Sequence, residues 1–179
     1  MNKHIFLCLV ALLLSNTYAE AGEPVPLISE VRFGLVEQGV LVFSQHRRES
    51  GIGLNGDVVF GRPSFDFPYG IVRPTLGFGI SLSGGTNRLY STLQWEIEKS
   101  SFFFDLGPGL AVHDGRLHGD SEDEKHYGSR VLFYYQMSLG YAITQHYRLA
   151  LFHDHMSNAY LAEPNNGLNT VGLRIGYRF

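Results

Sequence analysis

Alternation of apolar and polar residues, in segments of about ten residues, is the feature that most constrains how this chain can fold. The alternation begins near residue 27 and recurs to the C-terminus, and Gly, Pro, Asn and Asp collect between the segments. Successive side chains of a β-strand point to opposite faces, so the pattern predicts strands with one apolar face each. We predict eight strands, near residues 27–36, 51–61, 72–83, 87–98, 101–112, 128–142, 146–157 and 168–179.

An even number of strands, separated mostly by short turn-forming segments, favours a closed antiparallel barrel over an open sheet. The 13 Phe, 10 Tyr and 21 Gly of the chain are typical of strands and tight turns rather than helices. After the N-terminal segment there is no apolar run of about 18 residues, so the sequence predicts no transmembrane helix. The predicted fold class is therefore an all-β, eight-stranded antiparallel barrel.

The two faces of the predicted strands differ in a way that indicates which solvent they meet. Near the C-terminus, charged residues and glycines such as Arg174 and Gly176 share one face, and Leu173 and Ile175 share the other. The interior of an eight-stranded barrel has room only for side chains, and an outer-membrane barrel turns its apolar face toward lipid. We therefore predict a transmembrane barrel of the outer-membrane type, with inward-facing charges that pair. An exported soluble barrel of the lipocalin kind, with the opposite polarity, is the alternative.

The N-terminus predicts export from the cytoplasm. Lys3 and His4 precede an apolar run over residues 5–14, and Ala19-Glu20-Ala21 supplies small residues for cleavage. This is the pattern of a secretory signal peptide, which we expect to be cleaved after Ala19 or Ala21. Residues 1–21 would then be the signal, and residues 22–179 a single barrel domain. Cleavage removes the single cysteine, so no disulfide is expected.

The charge balance excludes one class of partner. The chain has 14 Lys and Arg against 17 Asp and Glu, which argues against a nucleic-acid-binding role. If both termini are periplasmic, the segments near 37–50, 84–86, 113–127 and 158–167 face outward. The end of the seventh predicted strand then lies at the outer leaflet of the outer membrane.

That strand carries an unusual set of polar residues on its apolar face. Leu149 and Leu151 share this face with His153, His155 and Ser157. Polar side chains directed at lipid cost free energy unless they pair or perform chemistry. A serine two residues from a histidine suits nucleophilic catalysis, although a polar residue at the membrane interface is the simpler explanation. His153 and His155 also suggest zinc, but two ligands are too few for a zinc site, and we predict no metal.

Several sequence blocks carry a resemblance to a known family. They are "HMSNA" (155–159), "EPNNGLN" (163–169) and "GLRIGYRF" (172–179), with weaker matches at "ISEVRFGL" (28–35) and "GSRVLF" (128–133). Together they resemble the PagL-type lipid A 3-O-deacylases, a family of outer-membrane barrels, over most of the chain that follows the signal. The histidine-serine-asparagine-alanine pattern is the most specific part of this resemblance.

The resemblance implies a serine esterase on the outer wall of the barrel, which removes the acyl chain ester-linked at position 3 of lipid A. Ser157 matches the nucleophile of the family and His155 matches the general base. Asn158 matches an asparagine of the oxyanion hole, and the backbone N–H of Ala159 is a further donor as the chain leaves the strand. The implied partners are lipopolysaccharide and the outer membrane, without a cofactor. The sequence leaves open whether the protein forms a homodimer.

One position departs from the family pattern. The best-known members carry a glutamate 14 residues after the histidine, and here that position is Asn169. An amide can orient a histidine but supplies no charge to stabilise an imidazolium. Glu163, in the preceding loop, is a candidate substitute acid. The alternative function is therefore a catalytically impaired homologue that acts as a structural or adhesive barrel.

Overall fold

The computed structural model describes residues 25–40, 49–119 and 125–179, and these residues form an all-β structure. The strands are β1 (Ile28–Gln38), β2 (Gly51–Phe60), β3 (Phe65–Phe67), β4 (Gly70–Ser81), β5 (Arg88–Lys99), β6 (Phe102–His113), β7 (Val131–Ala142), β8 (Tyr147–Ser157) and β9 (Leu168–Arg178). No helix within these ranges is long and apolar enough to cross a bilayer. The predicted signal peptide, residues 1–21, lies outside the described residues.

Within the described residues, eight long antiparallel strands close into a barrel, which confirms the predicted fold class. Consecutive long strands pair with one another, and the pairing of β1 with β9 closes the cylinder. The barrel end at which β8 finishes and β9 begins, here called the site end, carries the longer loops. The interstrand register is fixed by paired residues all along β8 and β9, which places His155 directly opposite Asn169.

The short strand β3 was not predicted. Its segment, residues 61–69, contains two prolines and was expected to be a plain connection. Three residues of it nevertheless pair with the first residues of β4, and Phe67 contacts Trp95 edge to face with ring centroids 5.6 Å apart. The start of β7 also differs: it begins at Val131 rather than near 128, because Gly128 has a left-handed φ of 66° and its N–H donates to the Leu117 carbonyl at 2.9 Å.

The outward face of the barrel is apolar and the interior is charged, as predicted. Leucines such as Leu89, Leu139 and Leu173 are about 60% exposed on the outer wall: 59%, 61% and 59%. Arg32 and Arg174, by contrast, are buried in the lumen. Because lipid and not water meets the outer wall of an outer-membrane barrel, this polarity fits a membrane protein and not a soluble carrier.

Ion pairs neutralise the buried charges. Arg174 Nη1 lies 2.8 Å from Asp57 Oδ2, and Arg32 Nε lies 3.2 Å from Asp57 Oδ1. Arg148 Nη1 bridges Glu30 at 2.8 Å and Glu96 at 2.6 Å. A buried charge is tolerated only when it is paired and hydrogen-bonded, so these contacts are what allow a polar lumen.

Toward the site end, a largely apolar and aromatic cluster lies in the lumen beside buried polar residues such as Arg88 and Asp154. A buried cluster consists of Tyr90, Ala111, Tyr127, Leu132, Tyr134, Met156 and Leu168. Tyr90 and Tyr134 stack with ring centroids 4.4 Å apart. Met156 and Leu168 pair across β8 and β9 directly beneath His155 and Asn169, so the outward-facing polar residues stand on a tightly packed floor.

Candidate active site

Two neighbouring strands bring three polar side chains together on the outer wall. Ser157 is the last residue of β8, His155 lies two residues before it, and Asn169 is the second residue of β9. Period-2 alternation places His155 and Ser157 on the same face as Leu151, which is 55% exposed. The serine and histidine are half-buried, whereas Asn169 is only 1% exposed.

A continuous hydrogen-bond chain joins these side chains. His155 Nδ1 lies 2.9 Å from Asn169 Oδ1, and His155 Nε2 lies 3.1 Å from Ser157 Oγ. An amide oxygen can only accept, so the Nδ1 atom must carry the proton and donate it to Asn169. The Nε2 atom of a neutral imidazole is then the acceptor for the serine hydroxyl, which is the tautomer that a general base requires.

Aromatic contacts fix the plane of the histidine. Tyr135, on β7, is paired opposite His155 in the sheet. Its ring centroid is 5.6 Å from that of His155 and 5.7 Å from that of His153. Both histidines therefore lie along one tyrosine on the outer wall, which limits the rotation of their rings.

A loop glycine closes over the other side of the histidine. A Cβ atom on Gly167 would come within 2.7 Å of His155 Cε1, so the loop backbone lies against the imidazole edge. The ammonium of Lys125, from the loop between β6 and β7, donates a hydrogen bond to the Gly167 carbonyl. Two loops that are distant in sequence thus hold the backbone that covers His155.

The chain turns sharply after Ser157. Leu161 N donates to the Asn158 carbonyl at 3.0 Å, and the two central residues have positive φ, 53° at Ala159 and 61° at Tyr160. This is the pattern of a type I′ turn, which glycine or asparagine usually occupies. Residues with side chains in this conformation are strained, and such strain is concentrated at functional sites.

The Asn158 side chain, which the family resemblance assigns to the oxyanion hole, makes its hydrogen bonds within the loop. It is buried, and its Nδ2 donates to the carbonyls of Tyr127 at 2.8 Å, Ala162 at 2.8 Å and Pro164 at 3.1 Å. Its backbone N–H donates to Asn165 Oδ1 at 3.0 Å. With these donors engaged by groups of the protein itself, Asn158 stabilises the turn.

Tyr127 connects this turn to the rest of the rim. Its hydroxyl donates to Glu49 Oε2 at 3.1 Å, and its carbonyl accepts the bond from Asn158. Burial, and next the nearby carboxylate of Glu49, raise the pKa of Tyr127 well above its ordinary value, so the phenol stays protonated and remains a donor. Thr86 Oγ1 donates to the same carboxylate oxygen at 2.6 Å.

Two acidic residues near the motif stand apart from the histidine. Glu163, the candidate substitute acid, is exposed on the loop, and the hydrogen bonds of the described residues place Asn169, and not Glu163, at His155 Nδ1. Asp154 points into the lumen, where it pairs with Arg88 at 2.5 Å and accepts from the Tyr134 hydroxyl at 3.0 Å. The structure thus brings Asn169, and neither carboxylate, to the histidine.

An apolar groove adjoins the histidines on the outer wall. Its volume is about 310 Å³, and its outward-facing lining is formed by Phe104, Met137, Leu139, Leu151, His153 and Val171. The groove lies across β6 to β9 and extends from His153 to Leu151 and Leu139, away from the site end. Its lining has the chemistry to hold a hydrocarbon chain.

The sequence of the whole barrel matches a known protein family. The sequence model of the family described as "Lipid A 3-O-deacylase (PagL)" matches residues 27–178. The chain belongs to the PagL family. The family resemblance stated from the sequence blocks is thereby confirmed.

Individual relatives of this PagL-family chain agree with the assignment. The lipid A deacylase PagL of Bordetella bronchiseptica is 35% identical over 78 residues, which are 44% of this chain and 42% of that protein. The match thus spans less than half the length of that relative. The barrel is also similar to the crystal structure of the outer membrane enzyme PagL, with a TM-score of 0.63 and 19% identity, over 84% of this chain and all of that one.

Similarity in fold extends to a designed protein that is unrelated to the family. A de novo transmembrane β-barrel is similar with a TM-score of 0.52 and 12% identity, over 88% of this chain and all of the designed one. At such identities the structural matches establish the barrel fold alone.

Sequence reasoning did not assign roles to several residues of the PagL-family site. Gly167 was visible within the "EPNNGLN" block, but its contact with His155 was not. Lys125 and Tyr127 lie in a different loop and carry no motif. A period-2 pattern tells which face a residue occupies, but it carries no information about contacts between loops.

Proposed function

We propose that this protein is a serine esterase of the bacterial outer membrane that hydrolyses the acyl chain ester-linked at position 3 of lipid A. The main support for this proposal is the hydrogen-bond chain from Ser157 through His155 to Asn169, which lies on the lipid-facing wall of a PagL-family barrel. A site on this wall meets its substrate at the membrane, which favours a lipid ester over a water-soluble one.

In the first step, Ser157 is the nucleophile and His155 the general base. The serine hydroxyl gives its proton to His155 Nε2 as Oγ attacks the ester carbonyl carbon, and the new imidazolium keeps its Nδ1–H bond to Asn169 Oδ1. Collapse of the tetrahedral intermediate breaks the bond to the sugar oxygen, which takes the proton from Nε2. Water then hydrolyses the acyl-enzyme by the same route and releases the fatty acid.

The oxyanion of that intermediate needs hydrogen-bond donors close to Ser157. Among the hydrogen bonds of the described residues, none uses the backbone N–H of Ala159, which begins the left-handed part of the turn. We assign the oxyanion donation to this N–H, with Asn158 acting indirectly because its amide holds the turn in place. No step requires a metal or cofactor.

We assign to the groove beside His153 the acyl chain that is transferred to Ser157. The apolar lining of the groove extends from His153 across the lipid-facing surface of β6 to β9, where a hydrocarbon chain can pack. The site end then faces the outer leaflet, where lipopolysaccharide is located, with the chain termini on the periplasmic side.

Mass spectrometry of lipid A tests this function directly. Refolded wild-type protein in detergent should remove one 3-hydroxyacyl mass from lipid A. Ser157→Ala should abolish the change, because Ser157 carries the hydroxyl that, among the residues the structure describes, hydrogen-bonds His155 Nε2. Ser91→Ala is the matched control, since Ser91 is an exposed outward-facing serine on β5, away from the site.

The outcomes separate the two functions that the sequence left open. Unchanged lipid A after incubation with folded wild-type protein, across lipid A species of different acyl length, would favour the structural or adhesive barrel. Hydrolysis by Ser157→Ala at the wild-type rate would refute the assigned nucleophile. The intact hydrogen-bond chain supports the enzyme.

A further inference from the structure

An asparagine in the third position of a catalytic triad has an orientation problem that a carboxylate does not have. Both oxygens of a carboxylate accept hydrogen bonds, whereas an amide has one accepting end and one donating end. If the Asn169 amide rotated by half a turn, its NH₂ group would face His155 Nδ1. The imidazole would then have to accept at Nδ1 and protonate at Nε2, and it could no longer take the serine proton.

The observed orientation has Oδ1 toward His155 at 2.9 Å, so the Asn169 NH₂ group is directed elsewhere. Asn169 is 1% exposed, and a buried amide donor without a partner is costly. A second group that accepts from this NH₂ would hold the amide in the productive orientation.

His153 is in position to be that group. It lies on the same outward face as His155, two residues earlier on β8, and both rings contact Tyr135 at 5.7 and 5.6 Å. The strand register places His153 opposite Val171, next to Asn169 on the same face of β9. Asn169 and His153 are therefore diagonal neighbours on the outward face of the β8–β9 pair, a separation that aromatic and long side chains can bridge.

We propose that His153 is a positioning residue, which accepts a hydrogen bond from the Asn169 NH₂ group and thereby fixes the catalytic tautomer of His155. A neutral imidazole has one accepting nitrogen, which matches the donating end of the amide. The hydrogen-bond chain on the outer wall thus runs from Ser157 through His155 and Asn169 to His153. The second histidine fixes the orientation of the amide, which a carboxylate in its place would not require. This inference rests on the proposed esterase function.

Substitution of His153 in two backgrounds tests the inference. His153→Phe keeps the ring contact with Tyr135 and removes the acceptor, while His153→Gln restores an acceptor oxygen. Each is made with Asn169 and with Asn169→Asp, which has the same shape but no donating end. His146→Phe is the control, because this histidine lies near the opposite barrel end, stacked on Tyr177 with centroids 5.5 Å apart.

The expected result is a dependence on the background. With Asn169, His153→Phe should lower kcat for lipid A hydrolysis in mixed micelles on the order of tenfold, the worth of one hydrogen bond that orients the amide. His153→Gln should recover most of that loss. With Asn169→Asp, His153→Phe should change kcat less than about twofold, because a carboxylate has no wrong orientation.

Other outcomes would overturn the inference. Equal loss of kcat in both backgrounds would mean that His153 acts on folding or on another group. A rise in KM with unchanged kcat would mean that His153 only lines the acyl groove. No effect of His153→Phe in either background would exclude a role in orientation.

A measurement without substrate separates this inference from the proposed function. In ¹⁵N-histidine spectra of the folded barrel in micelles, His155 should show a protonated Nδ1, and His153→Phe should shift it toward the other tautomer. If that shift occurs while lipid A stays intact, the positioning role stands and the esterase function fails. If lipid A is hydrolysed but the tautomer does not respond, the esterase stands and the positioning role fails.

Discussion

At the scale of single residues, the site depends on two residues that contact His155, namely Asn169 and Gly167. Asn169 fixes its proton on Nδ1 through a 2.9 Å hydrogen bond, and Gly167 leaves room for its ring. The amide supplies direction but not charge, so the imidazolium formed during catalysis is less stabilised than it would be beside a carboxylate. Both residues therefore offer sharp tests.

Asn169→Asp should increase kcat by at least about tenfold. The substituted carboxylate keeps the position of Oδ1 and adds a negative charge beside the imidazolium; the reverse change in a serine protease costs about 10⁴-fold, which sets the upper limit. Initial rates of fatty-acid release from lipid A measure the effect. An unchanged or lower kcat in a folded barrel would show that charge at this position does not limit the reaction.

Gly167→Ala should lower kcat on the order of tenfold or more. The added methyl would lie 2.7 Å from His155 Cε1 and would push the ring away from Ser157, and small displacements of catalytic groups have large costs. Gly85→Ala is a fair comparison, since its methyl, on another loop of the site end, would come no closer than 3.1 Å to Ser81 Oγ and would only touch Gln38 and Glu49 at 3.5 and 3.6 Å. Wild-type activity in Gly167→Ala would mean that the loop moves aside freely.

At the scale of elements, the turn after β8 converts a strand end into a reactive site. A continuing strand would turn the N–H groups after Ser157 into the sheet. The left-handed turn at Ala159 and Tyr160 instead directs them away from the ladder, and the Asn158 amide maintains the turn through three carbonyls. The cost of the strained conformation is offset by these bonds.

Asn158→Asp should lower kcat about 100-fold while the barrel remains folded. A carboxylate of the same shape cannot donate to the three carbonyls and is repelled by them, so the turn and its oxyanion donor lose their position. Resistance of the folded band to detergent in unheated gels checks the fold. Asn166→Asp, in the same loop, should be close to wild type; an equal loss there would point to loop charge and not to the turn.

At the scale of the whole molecule, the polar lumen fixes the strands that carry the site. Buried arginines and carboxylates join strands that are far apart around the barrel, such as Arg32 on β1 and Asp105 on β6 at 2.9 Å. Asp57 joins Arg32 and Arg174. Removing one partner of such a group leaves an uncompensated charge, so the stability of the barrel should depend strongly on single lumen residues.

Asp57→Asn should reduce the free energy of unfolding by about 3 kcal/mol, the usual order for breaking a buried pair. Urea titration of the protein folded into lipid vesicles measures the change. Asp66→Asn provides the control, because Asp66 is exposed on β3 and should alter stability by less than about 0.5 kcal/mol. Similar losses in both variants would contradict a special role for the lumen.

The eight barrel strands were predictable from the sequence because alternation with a period of two is a local property. Each strand needs one face for lipid and one for the lumen, and the alternation that this requires is visible in the sequence of each strand by itself. The face of His155 and Ser157 follows in the same way, and the family blocks supplied their suggested chemistry. The short strand β3 escaped prediction, since its pairing depends on β4 and on the contact between Phe67 and Trp95.

Tertiary structure alone decided which groups meet at the site. The register of β8 and β9 sets His155 opposite Asn169, and the fold of the loop leaves Glu163 exposed. The direction of the Asn158 amide and the bond from Lys125 to Gly167 depend on loops that are distant along the chain. Alternation determines the face of each residue, but contacts between strands and between loops are non-local, and only the closed barrel fixes them.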